Sequence, residues 1–282
     1  MVSATRRTIP HSSTGRITGP MEAELNYIRP DAKNPPEVFY SGGSSPQTYS
    51  DAYAFMMADI ADGRGNSAEF KIHKNGFELA VFPTAHSDFG DDEAVAQFYY
   101  DEVSKIVRDV TGAKEVFVFD HTVRRGTPSS KRKPAHHVHN DYTDKTALIR
   151  AEEMIGKAAF ATMAGRRMIQ INVWRPLVDV VTRSPLTFCD ASSIDWADLI
   201  PTKIHFPDTD HVGEIFALRK QAGQRWSYFS EMTRDEVVLI KGYDSETEGY
   251  ARFTPHTAFE YPDQDPSAPE RSSIETRTFA FY

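Results

Sequence analysis

The sequence has one cysteine, no long apolar run and no excess of positive charge. Cys189 alone cannot form an internal disulfide or a cysteine-rich zinc site, so neither is expected. No apolar run approaches the roughly 20 residues needed to cross a bilayer. The formal net charge of -8 argues against nucleic acid as the main partner, because phosphate-binding proteins usually carry a basic surface.

The N-terminus and the glycine pattern lack the features of further protein classes. MVSATRRTIP has two arginines with no apolar stretch after them, which predicts no signal peptide. Gly42-Gly43 and Gly63-Arg64-Gly65 lack the spacing of a dinucleotide or P-loop motif. We therefore expect a cytoplasmic protein with no nucleic-acid or membrane partner. The sequence carries no signal for an oligomeric state.

The length and the local patterns predict one mainly β domain. With 282 residues, 40% of them hydrophobic, the chain can bury a substantial core. The polar start predicts a loosely held lead-in over residues 1–20, followed by a single domain over 21–282. Many short strand-like stretches accompany two clear helices. This favours the α+β class, mainly β, with a double-stranded β-helix (jelly-roll) core and flanking helices.

Periodicity places the main elements along the chain. Helices are predicted over 91–111 and 144–157, and the clearest strands over 115–120, 168–174, 236–241 and 273–282. A hairpin is predicted around Asn75-Gly76, because this dipeptide suits a tight turn between two apolar stretches. The basic segment 124–133 is expected to be a loop.

Two histidines and one aspartate carry the chemical argument. His139 and Asp141 form an H-x-D pair, and His256 lies far downstream. Two imidazoles and one carboxylate on one face of a metal leave three adjacent positions open, as in the facial triad of non-haem iron(II) oxygenases. A bidentate 2-oxo acid takes two of these positions and dioxygen takes the third. The pattern therefore indicates an enzyme that uses Fe(II), 2-oxoglutarate and dioxygen.

An R-x-S arrangement follows His256 at the start of the predicted terminal strand. The Arg271 guanidinium could clamp the distal carboxylate of 2-oxoglutarate, with the Ser273 hydroxyl adding a hydrogen bond. Strand alternation places Arg277 on the same face as Ser273. Arg277 therefore competes with Arg271 for the oxo-acid carboxylate.

Five further residues are expected near the cosubstrate or the substrate. Asn172 could donate a hydrogen bond to the oxo acid, and Trp174 on the same strand face either walls the pocket or belongs to the core. Arg175 either holds a carboxylate of substrate or cosubstrate or makes a structural ion pair. His121, after a buried strand, and Tyr142, beside the H-x-D pair, are expected to contact the substrate.

Charged residues beside these positions have two interpretations each. Arg124 and Arg125 either face an acidic substrate or lie in a solvated loop. His136 and His137 either lie in a solvated loop or bind metal adventitiously.

Longer motifs resemble one family of oxygenases along nearly the whole chain. They include AELNYIRP from Ala23, FDHTVRR from Phe119, HVHNDYT from His137, QINVWRPL from Gln170 and RSSIETR from Arg271. The chain resembles the fungal and bacterial family that contains the gibberellin GA4 desaturase, the aspergillic acid hydroxylase and the cephamycin methoxylation subunit. The resemblance implies a jelly-roll core, iron(II), 2-oxoglutarate and oxidation of an unactivated C–H bond in a specialised metabolite. It also implies the metal ligands His139, Asp141 and His256.

Two other functions would use the same residues. A zinc hydrolase also employs two histidines, a carboxylate and a bound water, but it gives Arg271 and Ser273 no role. A catalytically silent accessory subunit of a biosynthetic complex is the other alternative, and the intact triad argues against it. Hydroxylation, desaturation and oxidative cyclisation differ in where the pocket places the target carbon, so the sequence leaves the outcome and the substrate open.

Overall fold

The computed structural model describes residues 18–40, 47–127, 130, 132–206 and 210–282. Most of the predicted lead-in over 1–20 therefore lies outside the described residues. Its last part is anchored: the Gly19 N–H donates to Asp62 Oδ2 at 2.9 Å, and the Tyr228 hydroxyl donates to the Gly19 carbonyl at 3.0 Å. No helix among the described residues is long and apolar enough to cross a membrane.

Two β-sheets contain the fifteen strands of the described structure. The strands are β1 (Met21–Ile28), β2 (Glu37–Phe39), β3 (Thr48–Tyr49), β4 (Tyr53–Asp62), β5 (Phe77–Val81), β6 (Glu115–Arg125), β7 (His139–Asn140), β8 (Met168–Pro176), β9 (Leu186–Cys189), β10 (Leu199–Phe206), β11 (His211–Leu218), β12 (Trp226–Tyr228), β13 (Glu236–Asp244), β14 (His256–Ala258) and β15 (Ser272–Phe281). The large sheet has the order β1-β4-β12-β9-β14-β7-β11-β10-β2-β3, and the small sheet the order β5-β13-β8-β15-β6. Nearly all neighbours are antiparallel, which confirms the predicted jelly-roll core.

Helices flank the sheets, as predicted. They are α1 (Asp92–Ala94), α2 (Tyr100–Thr111), α3 (Asp144–Ile155) and α4 (Lys157–Ala161), and a π-helical turn joins α1 to α2. The Asp91 carboxylate accepts hydrogen bonds from two N–H groups of the first turn of α1, and Gly112 ends α2 in the left-handed conformation. Both ends of the helix predicted over 91–111 are therefore confirmed.

The small sheet is buried on both faces, and its two faces differ in character. Ile169, Ile171 and Val173 of β8 belong to the core formed with α2. Alternation along the strand sends Gln170, Asn172 and Trp174 to the opposite face. That inner face is unusually polar for a buried surface, and it faces the candidate metal ligands.

The hairpin predicted around Asn75-Gly76 is wrong. Only the second stretch, β5, is a strand, and it pairs with β13 rather than with the segment before it. Asn75 closes a turn instead, since its side-chain Oδ1 accepts a hydrogen bond from the Lys71 N–H at 3.0 Å. Gly76 has a φ of 89°, so the dipeptide does mark a turn. The strand partner lies far away in the sequence, where a local pattern cannot indicate it.

Strand β6 continues past the predicted end at residue 120. It pairs along its length with β15, from the Glu115–Phe281 pair to the Arg125–Ser272 pair. Arg124 therefore lies in a strand and not in the loop predicted over 124–133. Within that predicted loop, residues 128, 129 and 131 lie outside the described residues.

Candidate metal centre

Strands β7 and β14 bring two histidines side by side. His139 and His256 are direct partners across this antiparallel pair, with ring centroids 4.7 Å apart. Asp141 follows β7, and its Oδ1 lies 3.4 Å from His139 Nε2. One ligand atom from each of the three residues lies within 4.8 Å of the other two. Residues far apart in the sequence thus meet at one point, with the donor types expected for a facial triad.

Backbone carbonyls fix the orientation of both imidazoles. His139 Nδ1 lies 2.8 Å from the His137 carbonyl, and His256 Nδ1 lies 2.9 Å from the Thr254 carbonyl. A protonated Nδ1 donates to each carbonyl, which leaves both Nε2 lone pairs available for a metal. Burial and repulsion from His139 lower the pKa of His256, which favours the neutral form that binds metal.

A chain of side-chain amides holds the Asp141 carboxylate. Asn172 Nδ2 donates to Asp141 Oδ2 at 2.5 Å, and Gln170 Nε2 donates to Asn172 Oδ1 at 2.6 Å. Burial alone would raise the pKa of Asp141, but the adjacent His139 imidazole and the Arg277 cation hold it well below its usual range. The carboxylate therefore stays ionised, with Oδ2 occupied and Oδ1 on the side of the histidines.

Asn140, inside the H-x-D pair, links the segments that carry the two histidines. It is fully buried, and its Nδ2 donates to the Tyr142 and Gly242 carbonyls at 2.8 Å each. Its Oδ1 accepts from the Thr254 N–H at 2.9 Å, and the Thr254 carbonyl in turn orients His256. Sequence reasoning gave Asn140 no role. The one sequence feature that could have indicated this role is the position of an uncharged amide between the two ligands His139 and Asp141.

A cavity beside the histidines contains Arg271. This side chain is buried, donates to the Ser184 carbonyl at 2.6 Å and lies 5.5 Å from the centroid of the Trp174 ring. Its Nε has no hydrogen-bond partner among the described residues, and neither has the nearby Ser273 Oγ. Burial and repulsion from Arg124 lower the pKa of Arg271 to about 9. A buried cation with an unused donor beside an unused hydroxyl is suited to a carboxylate ligand.

Arg277 differs from Arg271 because protein groups already occupy its guanidinium. It donates to Glu275 Oε1 at 2.6 Å, Asp120 Oδ2 at 3.1 Å and Thr122 Oγ1 at 3.0 Å. Burial lowers the pKa of Arg277, but Glu275 and Asp141 raise it by more. The contacts thus favour Arg271 as the carboxylate-binding arginine.

Asn172 and Arg277, both expected to contact 2-oxoglutarate, lie against the Asp141 carboxylate instead. Asn172 uses its amide on Asp141 and Gln170, and Arg277 Nε lies 3.9 Å from Asp141 Oδ2. These contacts orient a metal ligand, while the predicted contacts of both residues with the oxo acid stay predictions.

Two residues expected to contact substrate lie on the helix-facing side of the small sheet. The His121 ring lies 2.9 Å from the Tyr100 hydroxyl and 3.2 Å from Asp92 Oδ1. Arg175 is fully buried and donates to the Tyr99 hydroxyl at 2.8 Å and to two backbone carbonyls. Both side chains thus have protein partners on that side of the sheet, and their predicted substrate contacts stay predictions. Within the part of the chain that the structure describes, Arg175 makes structural contacts through hydrogen bonds and no ion pair.

The remaining predicted residues lie close to the metal ligands. Trp174 lines the cavity and also belongs to a hydrophobic core, so both interpretations of it hold. Tyr142 is packed in the core with its ring 6.3 Å from that of Phe279, and its substrate contact stays a prediction. His137 is buried and stacks on His139 at 4.3 Å, so the solvated-loop interpretation is wrong for it.

Comparison with known proteins extends this picture to nearly the whole chain. Residues 25–281 match a family model described as Oxidoreductase/YMDC permease-like domain. The hydroxylase/desaturase efuI of Hormonema carpetanum is 31% identical, with 95% of this chain and 98% of that protein covered. The alpha-ketoglutarate-dependent dioxygenase phiK of a fungal species is 30% identical, with 97% and 100% covered.

A solved structure gives the same result in three dimensions. The iron and alpha-ketoglutarate-dependent endoperoxidase NvfI superposes with a TM-score of 0.85 at 28% identity, covering 94% of this chain and 98% of that one. Sequence match, fold and the His-Asp-His constellation agree. This chain belongs to the family of Fe(II)- and 2-oxoglutarate-dependent dioxygenases, which use Fe(II), 2-oxoglutarate and dioxygen.

Proposed function

We propose that this protein oxidises an unactivated C–H bond of a small specialised metabolite, with iron held by His139, Asp141 and His256. The observation that carries the proposal is the meeting of the three ligand atoms, within 4.8 Å of one another, beside a cavity that contains Arg271. Neighbouring ligands with metal bonds of roughly 2.1 Å lie about 3 Å apart. The 3.4 Å between His139 Nε2 and Asp141 Oδ1 fits such a centre.

The bound iron would supply the redox chemistry, in which dioxygen and 2-oxoglutarate give succinate, carbon dioxide and an oxidised substrate. The protein supplies orientation and electrostatics. Asn172 and Arg277 would keep Asp141 in one position, and the carbonyls behind the histidines would fix their tautomers. Arg271, whose guanidinium lies over the Trp174 ring, would hold the distal carboxylate of 2-oxoglutarate together with Ser273.

Names of relatives support oxidation of specialised metabolites while indicating different outcomes. One relative is a hydroxylase/desaturase, another an aspirochlorine biosynthesis protein, and the structural neighbour an endoperoxidase. The same iron chemistry can give each of these outcomes, depending on where the pocket places the target carbon of the substrate relative to the iron. Membership of the subgroup of the GA4 desaturase, the aspergillic acid hydroxylase and the cephamycin methoxylation subunit stays a prediction. So do the cytoplasmic location and the single domain over 21–282.

The proposal is tested by the visible absorption of the complex with iron and 2-oxoglutarate. The purified protein is loaded anaerobically with Fe(II) and titrated with 2-oxoglutarate, which should give the weak band of the chelate. His139→Ala and His256→Ala should each abolish the band, while His211→Ala, at an exposed position of β11, should keep it. Retention of the band in both ligand variants would refute the assignment.

The same experiment separates the other two functions. A zinc hydrolase predicts no band with Fe(II) and 2-oxoglutarate. A catalytically silent subunit predicts a band but, on exposure to dioxygen, no succinate formation coupled to substrate loss. The proposed enzyme predicts both.

A further inference from the structure

Arg271 shares its cavity with a second arginine, Arg124. Arg124 lies on β6 and is the direct partner of Ser273 on β15. The pairing continues outward, since the Gly126 N–H donates to the Arg271 carbonyl at 2.8 Å. Because side chains alternate along an extended strand, Arg271 and Ser273 share a face, and Arg124 stands beside them. The strand pairing therefore places both cavity arginines beside Ser273, whose buried hydroxyl has no hydrogen-bond partner within the described ranges.

Neither arginine forms an ion pair with a carboxylate of the described residues. Arg124 Nη1 and Arg271 Nη1 each donate to a backbone carbonyl, at 3.0 Å and 2.6 Å. The carboxylate that lines the cavity, Glu275, accepts a hydrogen bond from Arg277 at 2.6 Å. The two cavity arginines repel each other, and this repulsion adds to burial in lowering the pKa of Arg271. An anion between them would relieve the desolvation and the repulsion together.

We propose that Arg124 is a second cation for the distal carboxylate of 2-oxoglutarate, so that Arg271, Arg124 and Ser273 form one three-sided carboxylate site. This assignment rests on the proposed function and adds a source of cosubstrate selectivity to it. A single buried arginine favours a dicarboxylic oxo acid over one with a neutral tail. Two arginines around a hydroxyl increase that preference, because each gains a charge-assisted hydrogen bond only from the dicarboxylate.

The test compares two oxo acids that differ in the distal carboxylate. Protein loaded anaerobically with Fe(II) is titrated with 2-oxoglutarate and with 2-oxobutyrate, following the chelate absorption. Arg271→Met should weaken 2-oxoglutarate binding about 100-fold and Arg124→Met about tenfold, as expected for lost charge-assisted hydrogen bonds. Binding of 2-oxobutyrate should change less than about twofold in both. Arg125→Met, at the neighbouring exposed position, should match the wild type.

An unchanged preference for 2-oxoglutarate in Arg124→Met would overturn the assignment and leave Arg124 to an acidic group of the substrate. Equal weakening of both oxo acids would overturn it as well, since that indicates a general distortion of the cavity. If Arg124→Met does not fold, Arg124→Lys and Arg124→Gln decide: the lysine variant should retain more of the preference than the glutamine variant, and equal losses count against the proposal. Failure of the wild type to form any chelate would instead refute the proposed function.

Discussion

Two buried charge clusters in this protein contain similar residues and differ in how completely their charges are paired. The closed cluster consists of Lys241, Asp244, Arg167 and His73. The open cluster consists of Arg271, Arg124 and Ser273, beside the candidate metal ligands. Both include side chains of the small sheet, so the comparison is between two ways of burying cations in one fold.

In the closed cluster each charged group has a partner. Lys241 Nζ donates to Asp244 Oδ2 at 2.8 Å and to His73 Nδ1 at 3.1 Å. Arg167 donates to both oxygens of Asp244, at 3.0 Å and 2.6 Å. Burial and the two cations lower the pKa of His73 to about 4, so its neutral ring accepts at Nδ1 and donates at Nε2 to the Tyr282 hydroxyl, 3.1 Å away. Burial lowers the pKa of Lys241 to about 8 despite Asp244.

The open cluster buries cations without a carboxylate partner among the described residues. Arg271 Nε and Ser273 Oγ lack hydrogen bonds there, although both residues are buried. An unpaired buried polar group is costly, so such a group points to a ligand that the folded chain itself does not supply. The difference teaches that buried charge alone does not identify a site. Incomplete pairing of that charge, beside potential metal ligands, does.

The largest effect is expected from breaking the closed cluster. Asp244→Asn removes the counter-ion of Lys241 and Arg167 while both remain in place, which should lower the free energy of unfolding by about 3–5 kcal/mol. Urea unfolding measures this loss. The affinity of the folded variant for 2-oxoglutarate should equal that of the wild type, because the open cluster is untouched.

Asp59→Asn provides the control, since Asp59 is exposed on β4 and its substitution should change stability by less than about 0.5 kcal/mol. A loss in Asp244→Asn as small as in this control would contradict the distinction between the clusters. So would a large loss of 2-oxoglutarate affinity.

A smaller effect is expected from loosening the metal ligand next to the open cluster. Asn172→Ala removes the donor to Asp141 Oδ2, so the carboxylate can rotate away from the histidines. Loss of such an outer contact typically lowers metal affinity by about 10- to 100-fold. Competition with a chromophoric chelator under anaerobic conditions measures the Fe(II) affinity, and circular dichroism checks the fold. Asn34→Ala, an exposed amide, is the control. Unchanged Fe(II) affinity in Asn172→Ala would show that Asp141 does not need this support.

The metal ligands could be predicted from sequence because their chemistry depends on residue type. An H-x-D pair and a distant histidine suffice to suggest a triad, and alternation correctly placed Ser273, Glu275 and Arg277 on one face of β15. The sequence could not show whether Arg271 or Arg277 is free to bind the oxo-acid carboxylate. That depends on which carboxylates the neighbouring strands bring near each arginine. Only the pairing of β15 with its neighbours reveals which arginine is already occupied.

Alternation alone separates two of the predicted site residues. Trp174 and Arg175 are adjacent in a strand, so their side chains must point to opposite faces, and a cavity lined by Trp174 excludes Arg175. His121 was a different case. His121 contacts Tyr100 and Asp92, because helices α1 and α2 pack on its face of β6. Which face the helices cover is a property of helix packing. Local patterns show which side chains of a strand share a face, but not which of the two faces is directed toward the site.

The smallest predicted effect is a dependence on pH. Lowering the pH should reduce the difference in free energy of unfolding between the wild type and Asp244→Asn. Burial alone would raise the pKa of the Asp244 carboxyl, but hydrogen bonds from Arg167 and attraction to Lys241 bring it below 3.8. The unfolded chain therefore binds the proton more tightly than the folded one. The stabilisation is fully present above the unfolded pKa of about 4 and is lost as the pH falls through the folded pKa.

The asparagine variant lacks this titration, so urea unfolding of both proteins between neutral pH and about pH 3 should give converging free energies. A gap that stays constant or widens would show that the charge of Asp244 is not what stabilises the closed cluster.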